Sequence, residues 1–155
     1  MLPVEIEVTP VYRLAALPHT GPYDSLGSAY DLLANLLTER GLWPKLGHMM
    51  GVHYDDPRSV ESEALRSHAG AQVVDDDFPM APPLETVVVP AGRHAVMRYQ
   101  GPYEGLSKAW DSLVEDWLPT SGEEMGEGPA FEIYLNSPQD TAPEDLRTDI
   151  YLALA

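Results

Sequence analysis

The sequence predicts an α+β domain made by tandem duplication of one strand–helix–strand–strand unit. Eight strands are expected to join into one curved, mostly antiparallel sheet, with two long helices on one face and a central cleft on the other. Three observations carry this expectation. The chain matches itself at an offset of 80 residues. Each copy holds one stripe of apolar residues at helical spacing, flanked by short runs that alternate at strand spacing. The 155 residues suit one domain with a sizeable core.

The repeat is read first. Glu5, Val8, Pro10, Arg13 and Ala15 fall on Glu85, Val88, Pro90, Arg93 and Ala95. Gly21-Pro22-Tyr23 falls on Gly101-Pro102-Tyr103, and Leu26, Ala29, Asp31 and Leu33 fall on Leu106, Ala109, Asp111 and Leu113. After one inserted residue, Pro57, Glu63 and Leu65-Arg66 fall on Pro138, Glu144 and Leu146-Arg147. The copies span about 3–74 and about 84–155. Between them, about 75–83 carries three consecutive acids and three prolines and reads as a solvated linker.

Each copy opens on two apolar, strand-like runs, Val4 to Val8 and Leu14 to Leu17, then Thr86 to Val89 and Ala95 to Tyr99. Pro10 and Pro90-Ala91-Gly92 break these runs. Gly-Pro-Tyr then places proline at the first helical position, with Asp24 or Glu104 in the first turn. Leu26, Ala29, Tyr30, Leu33 and Leu37 make one helical stripe, and Leu106, Trp110, Leu113 and Trp117 make the other. Gly41 ends the first helix, and Pro119 and Gly122 end the second. A third element alternates in each copy: Met50, Val52 and Tyr54 against Gly51, His53 and Asp55, and Phe131, Ile133 and Leu135 against Glu132, Tyr134 and Asn136. Asp55-Asp56-Pro57 and Asn136-Ser137-Pro138 are turns, and the fourth strands run over about Ala64 to Val74 and Leu146 to Leu154.

Composition narrows the function. The formal net charge of −16 repels phosphate backbones, so direct nucleic-acid binding is not expected. It favours a cationic small molecule or a basic protein surface. Nothing at the start resembles a signal peptide, and no apolar run approaches the roughly 20 residues that span a bilayer. The absence of cysteine excludes thiolate chemistry and suits a reducing cytoplasm, the expected location. His19, His48, His53, His68 and His94 lack zinc-like spacing, and no Ser-His-Asp, phosphate-loop or dinucleotide signature is present. Neither a metal nor a cofactor is therefore expected.

The binding site is expected at the seam between the copies, on the side of the sheet away from the helices. The Phe131-Ile133-Leu135 side should pack under the helices, which turns Glu132 and Tyr134 toward the cleft. Glu132 stands mid-strand between Phe131 and Ile133, where glutamate has poor propensity, and its mate in the repeat is Gly51. A carboxylate in an apolar, aromatic-rimmed cavity either has its pKa raised or needs a cationic or hydrogen-bonding partner; pairing with an internal arginine such as Arg93 or Arg147 is the competing explanation. Tyr134 shares its face, and His53 is the counterpart of Tyr134. His19 and Tyr99 are paired by the repeat and precede Gly-Pro-Tyr, and Tyr151 alternates with Ile150 and Leu152, so all three are candidate walls. Tyr23 and Tyr103 are expected to brace the helix starts.

These segments resemble the GyrI-like small-molecule-binding family, related to the effector-binding domains of AraC- and MerR-type multidrug regulators. The resemblance rests on His19-Thr20-Gly21-Pro22-Tyr23, Gly51-Val52-His53-Tyr54-Asp55-Asp56-Pro57, Pro90 to Val96, Gly101-Pro102-Tyr103, Trp117 to Gly122, Phe131 to Asn136 and Leu146 to Tyr151. It implies a pseudo-two-fold domain whose cleft accepts lipophilic, often cationic or planar, molecules, with the glutamate of the Phe-Glu-x-Tyr strand, here Glu132, reaching into it. No helix-turn-helix pattern flanks the repeat, so a stand-alone member is expected. The resemblance leaves three functions open. One is a protein that holds drug-like compounds against Glu132. Another is a hydrolase that opens the cyclopropane of DNA-alkylating natural products, with Glu132 as general base and Tyr134 as donor. The third is a module that modulates gyrase by binding a topoisomerase-like partner.

Overall fold

The computed structural model describes residues 2–155. Among them are eight strands in antiparallel pairings and two helical segments, which is the α+β composition expected. The chain forms two compact units: Val11–Val89, and the residues up to Pro10 together with Pro90–Ala155. Their boundaries differ from those of the sequence copies, because each copy's first strand pairs within the other copy's unit. Strand β1 (Val4–Thr9) pairs with β6 (Gly92–Gln100), and β5 (Glu85–Val89) pairs with β2 (Tyr12–Thr20). Pro10 and Pro90 stand at these changes of unit, where a residue without an N–H cannot carry a ladder onward.

In the unit Val11–Val89 the strand order is β3-β4-β2-β5, with β3 at Leu46–His53 and β4 at Arg66–Val73. Helix α1 (Gly27–Glu39) buries Leu33 and Leu37 against Ala15, Leu17 and Ala71. The stretch after β4 is packed down rather than solvated throughout. Phe78 and Leu84 join the same core, Lys45 reaches Asp75 at 3.2 Å and Asp77 at 2.8 Å, and Arg40 donates to the carbonyls of Ala81 and Pro82. Two of the three acids thus have a lysine partner.

The other unit has the order β1-β6-β8-β7, with β7 at Ala130–Tyr134 and β8 at Arg147–Ala153. Its helical segment covers Ala95, Met97, Ile150 and Leu152 with Ala109 and Leu113. This segment is not uniform: α2 (Leu106–Asp111) passes into a π-helical stretch, Ser112–Trp117, and then α3 (Leu118–Ser121). Pro119 accounts for the change, since its ring and missing N–H conflict with an α-helical turn over the preceding four residues. Gly122, at φ 79°, ends the segment in the left-handed conformation.

Proline does not sit at the first α-helical position in either copy. Pro22 and Pro102 each precede a single 3-10 turn, and the α-helices begin after it. The cause lies one residue earlier. The N–H groups of Gly21 and Gly101 donate to the carbonyls of Leu65 and Leu146 at 2.8 Å, with φ of 129° and 147°, which other residues adopt only with strain. The Tyr23 hydroxyl donates to the Asp55 carbonyl at 2.6 Å, so this tyrosine braces the helix start against the end of β3. Asp55 in turn accepts from the backbone and guanidinium of Arg66, and in the second copy Asn136 accepts from the Arg147 N–H. Arg66 holds the Asp55 carboxyl below the usual carboxylate range. A depressed carboxyl contributes stability above its unfolded pKa and loses it as pH falls through the folded one. The stability gap between wild type and Asp55→Asn is therefore expected to be present at pH 7 and to close below about pH 4, read by urea unfolding at each pH.

The register corrects the expected faces of β7. Glu132 pairs with Ile150 and Ile150 with Met97, and these belong to the core beneath the helical segment. Phe131 pairs with Tyr151 and Tyr151 with Val96 on the opposite face. Glu132 and Tyr134 thus lie on the helix-bearing face of their unit, and Phe131 and Ile133 lie on the reverse.

Candidate functional site

Glu132 occupies the middle of β7 and is 5% exposed. Its Oε2 accepts from the Trp110 indole N–H at 2.8 Å, and its Oε1 accepts from the Tyr134 hydroxyl at 2.7 Å. One donor comes from the helix above the sheet and the other from the same strand, so helix packing and strand pairing together fix the carboxylate. Both donors stabilise its ionised form. The Tyr103 ring meets that of Tyr134 at 5.6 Å. Burial raises the Tyr103 phenol above its ordinary range, and the charge of Glu132 raises it further. The two arginines named as competing partners have contacts elsewhere. Arg93 pairs with Glu123, and Arg147 contributes its backbone N–H to Asn136. Thr148, which faces Tyr134 and Tyr99 in the register, is fully buried, and its hydroxyl has no hydrogen-bond partner among the described residues.

Trp110 is the residue that sequence reasoning missed. Its spacing assigns it to the apolar stripe of the second helix, although an indole N–H on such a stripe needs a buried acceptor. Its acceptor on the covered face is Glu132. Replacing Trp110 by Phe removes the donor and part of the packing, and is expected to destabilise the fold by about 1.5–3 kcal/mol, the range for a hydrogen bond to a charged group. Equilibrium urea unfolding measures it.

The other expected site residues are placed separately. Gly51 and His53 are buried on β3, on the face of their unit that carries α1, and the His53 ring lies 4.4 Å from that of Tyr23. His19 pairs with Ser67 on the same face, and its Nε2 lies 3.0 Å from the Ser25 hydroxyl. Tyr99 lies on the helix-bearing face of the unit that holds Glu132, where its hydroxyl donates to the Pro102 carbonyl at 2.7 Å. It also lines a groove of about 500 Å³ with Leu2, Met97, Lys108 and Ser112. Tyr151 lies on the reverse face, stacked on Phe131 with ring centroids 4.5 Å apart. The structure thus joins Glu132 and Tyr134 directly and sets Tyr151 on the other side of the sheet from them. No helix among the described residues is long and apolar enough to cross a membrane, and no cluster of three metal-ligating side chains occurs among them.

A family model described as a GyrI-like small-molecule-binding domain matches residues 2–155. The chain belongs to the GyrI-like family. Among curated relatives it is 29% identical over 155 residues to the probable transcriptional regulator YgiV of Escherichia coli K12, covering 99% of this chain and 97% of that one. It is 29% identical over 144 residues to a DNA gyrase inhibitor of Yersinia enterocolitica, covering 90% and 88%. Among solved structures it shares the fold of the EcmrR C-terminal domain, with a TM-score of 0.78 at 15% identity over 100% of this chain and 98% of that one. It also shares the fold of SAV2435 bound to tetraphenylphosphonium, with a TM-score of 0.65 at 12% identity over 99% and 94%. This GyrI-like chain is accordingly a small-molecule-binding domain.

Proposed function

We propose that this GyrI-like domain binds a lipophilic organic cation, planar or compact, against Glu132. The observation that carries the reading is a mid-strand carboxylate, 5% exposed, held by Trp110 and Tyr134 beside the Tyr103 ring. A charge in such a setting attracts an organic cation, and aromatic faces add to the attraction. The fold shared with the tetraphenylphosphonium-bound SAV2435 supplies the probe. Calorimetric titration with tetraphenylphosphonium is expected to show saturable binding, and no heat up to the solubility limit of the salt would defeat the proposal.

Glu132 is placed as an anchor for positive charge and not as a general base. Both its oxygens already accept hydrogen bonds that stabilise the anion. Incubation with a cyclopropane-bearing alkylator is therefore expected to return intact compound. A water adduct that disappears in Glu132→Gln would instead make this protein a hydrolase.

The net charge of −16 and the name of the Yersinia relative favour a second reading, in which a basic surface on gyrase is the partner. That reading predicts capture of gyrase that persists at physiological salt, where steering is screened beyond about 8 Å, and that is indifferent to Glu132→Gln.

A further inference from the structure

A second, smaller cavity lies in the unit that holds Glu132. Its volume is about 230 Å³, and it opens between Pro90, Gly92, His94, Pro129, Ala153 and Leu154, where β6 begins, β8 ends and the chain enters β7. His94 pairs with Ala153 in the register, on the face of the sheet opposite Glu132. The cavity is therefore separate from the proposed cation site and does not depend on it.

His94 marks a place where the two copies differ. Its mate in the repeat is Leu14, which is fully buried in the core of the other unit. A leucine in one copy has become an imidazole, 4% exposed, in the other. Burying a polar ring is unfavourable unless its nitrogens are used. Nδ1 is used: it lies 3.1 Å from the Gly92 carbonyl, which can only accept, so this nitrogen carries the proton. The Thr9 hydroxyl lies 3.0 Å from the same nitrogen and itself donates to the Gly92 carbonyl. Burial holds the ring below the ordinary histidine range, so it is neutral at pH 7. With the proton on Nδ1, Nε2 presents a lone pair that has no hydrogen-bond partner among the described residues. The ring's faces and edges rest on Phe131 and Tyr151, 5.1 and 6.2 Å away, which fixes its orientation.

The charged group at the cavity, Arg93, is already engaged. Arg93 pairs with Glu123 and donates to the Ala155 carbonyl, so the cavity offers neither an open cation nor an open anion. What it offers is one neutral acceptor among proline, alanine and leucine walls. Its volume falls below the roughly 300–1,000 Å³ of sites for drug-sized ligands.

We propose that this cavity binds a neutral planar N–H or O–H donor of one or two fused rings, a heteroaromatic or a phenol. Its donor is accepted by His94 Nε2, and its ring lies against Pro90 and Pro129. Indole is the probe, and N-methylindole, which lacks the donor, is its control.

The experiment is a titration followed by NMR on protein labelled with nitrogen-15 in its histidines. Indole is expected to move the His94 Nε2 resonance in a saturable way. N-methylindole is expected to bind about tenfold more weakly, the loss of one hydrogen bond. His94→Leu, which restores the residue of the other copy, is expected to abolish indole binding and leave tetraphenylphosphonium titrations as in wild type. Gly92→Ala supplies a variant that keeps the histidine and the backbone carbonyl to which its Nδ1 is bonded. A Cβ at Gly92 meets nothing within 4 Å, so its methyl enters open space and is expected to weaken indole. Equal affinity for indole and N-methylindole would overturn the proposal. So would unchanged indole binding in His94→Leu, or the absence of a saturable shift at His94.

Discussion

Glu132→Gln is expected to lower the affinity for tetraphenylphosphonium by about 2–5 kcal/mol, the cost of removing one partner from a desolvated charge pair. Tetraphenylphosphonium has no hydrogen-bond donor, so the loss reads the charge of the carboxylate and not a lost polar contact. The substitution is close to isosteric, and the surrounding donors can adapt to it. Trp110 can only donate, so the glutamine carbonyl must face it. The glutamine amino group then faces Tyr134, whose hydroxyl can turn round and accept. Triphenylphosphine oxide, neutral and similar in bulk, is the control and is expected to lose far less. Calorimetry on both compounds decides the matter. Unchanged tetraphenylphosphonium affinity in the variant would remove Glu132 from the site. Equal losses for both compounds would show that the variant acts through shape and not through charge.

The sequence revealed Glu132 because a carboxylate between Phe131 and Ile133 contradicts strand propensity and its mate in the repeat is a glycine. It did not reveal which way Glu132 faces. Alternation assigns the apolar side of a strand to the core, but β7 is covered on both sides: Phe131 is fully buried and Glu132 is 5% exposed. When both faces are covered, the period of two separates the faces without saying which one carries the helix. Trp110 was hidden for a related reason, since a helical stripe reports burial and not where an indole N–H finds its acceptor. The exchange of first strands between the copies was illegible because β1 and β6 pair across more than half the length of the chain. Pro10 and Pro90 announced breaks but not partners. The turn signals fared better. Gly41 and Gly122 hold positive φ at the helix ends where they are expected, and Tyr23 braces the helix start as expected. Those features depend on a few neighbouring residues, whereas the face of Glu132 and the strand pairing depend on the whole assembly of the unit.

Phe131→Ala is expected to cost about 3–5 kcal/mol of stability while leaving the cation site of the folded protein intact. Phe131 is fully buried on the reverse face of β7, stacked on Tyr151 at 4.5 Å and 8° and met edge-on by His94 at 5.1 Å and 72°. Truncation removes a ring with contacts on two sides, and two aromatic neighbours held by their own strands cannot fully collapse into the space. Its nearest neighbours in the chain point the other way, so Glu132, Trp110 and Tyr134 keep their hydrogen bonds as long as the strand stays paired. A domain of this size has roughly 5–15 kcal/mol of stability to lose, so the variant should remain mostly folded at low temperature. Urea unfolding is expected to show a lowered midpoint with an unchanged slope, and tetraphenylphosphonium titrated at low temperature is expected to bind within about twofold of wild type once the folded fraction is counted. The two substitutions then separate along adjacent residues: Glu132→Gln loses the cation and keeps the fold, and Phe131→Ala loses stability and keeps the cation. If Phe131→Ala abolished binding in protein that is demonstrably folded, the ligand would lie on the reverse face with Tyr151, and the assignment of the site to the helix-bearing face would be wrong.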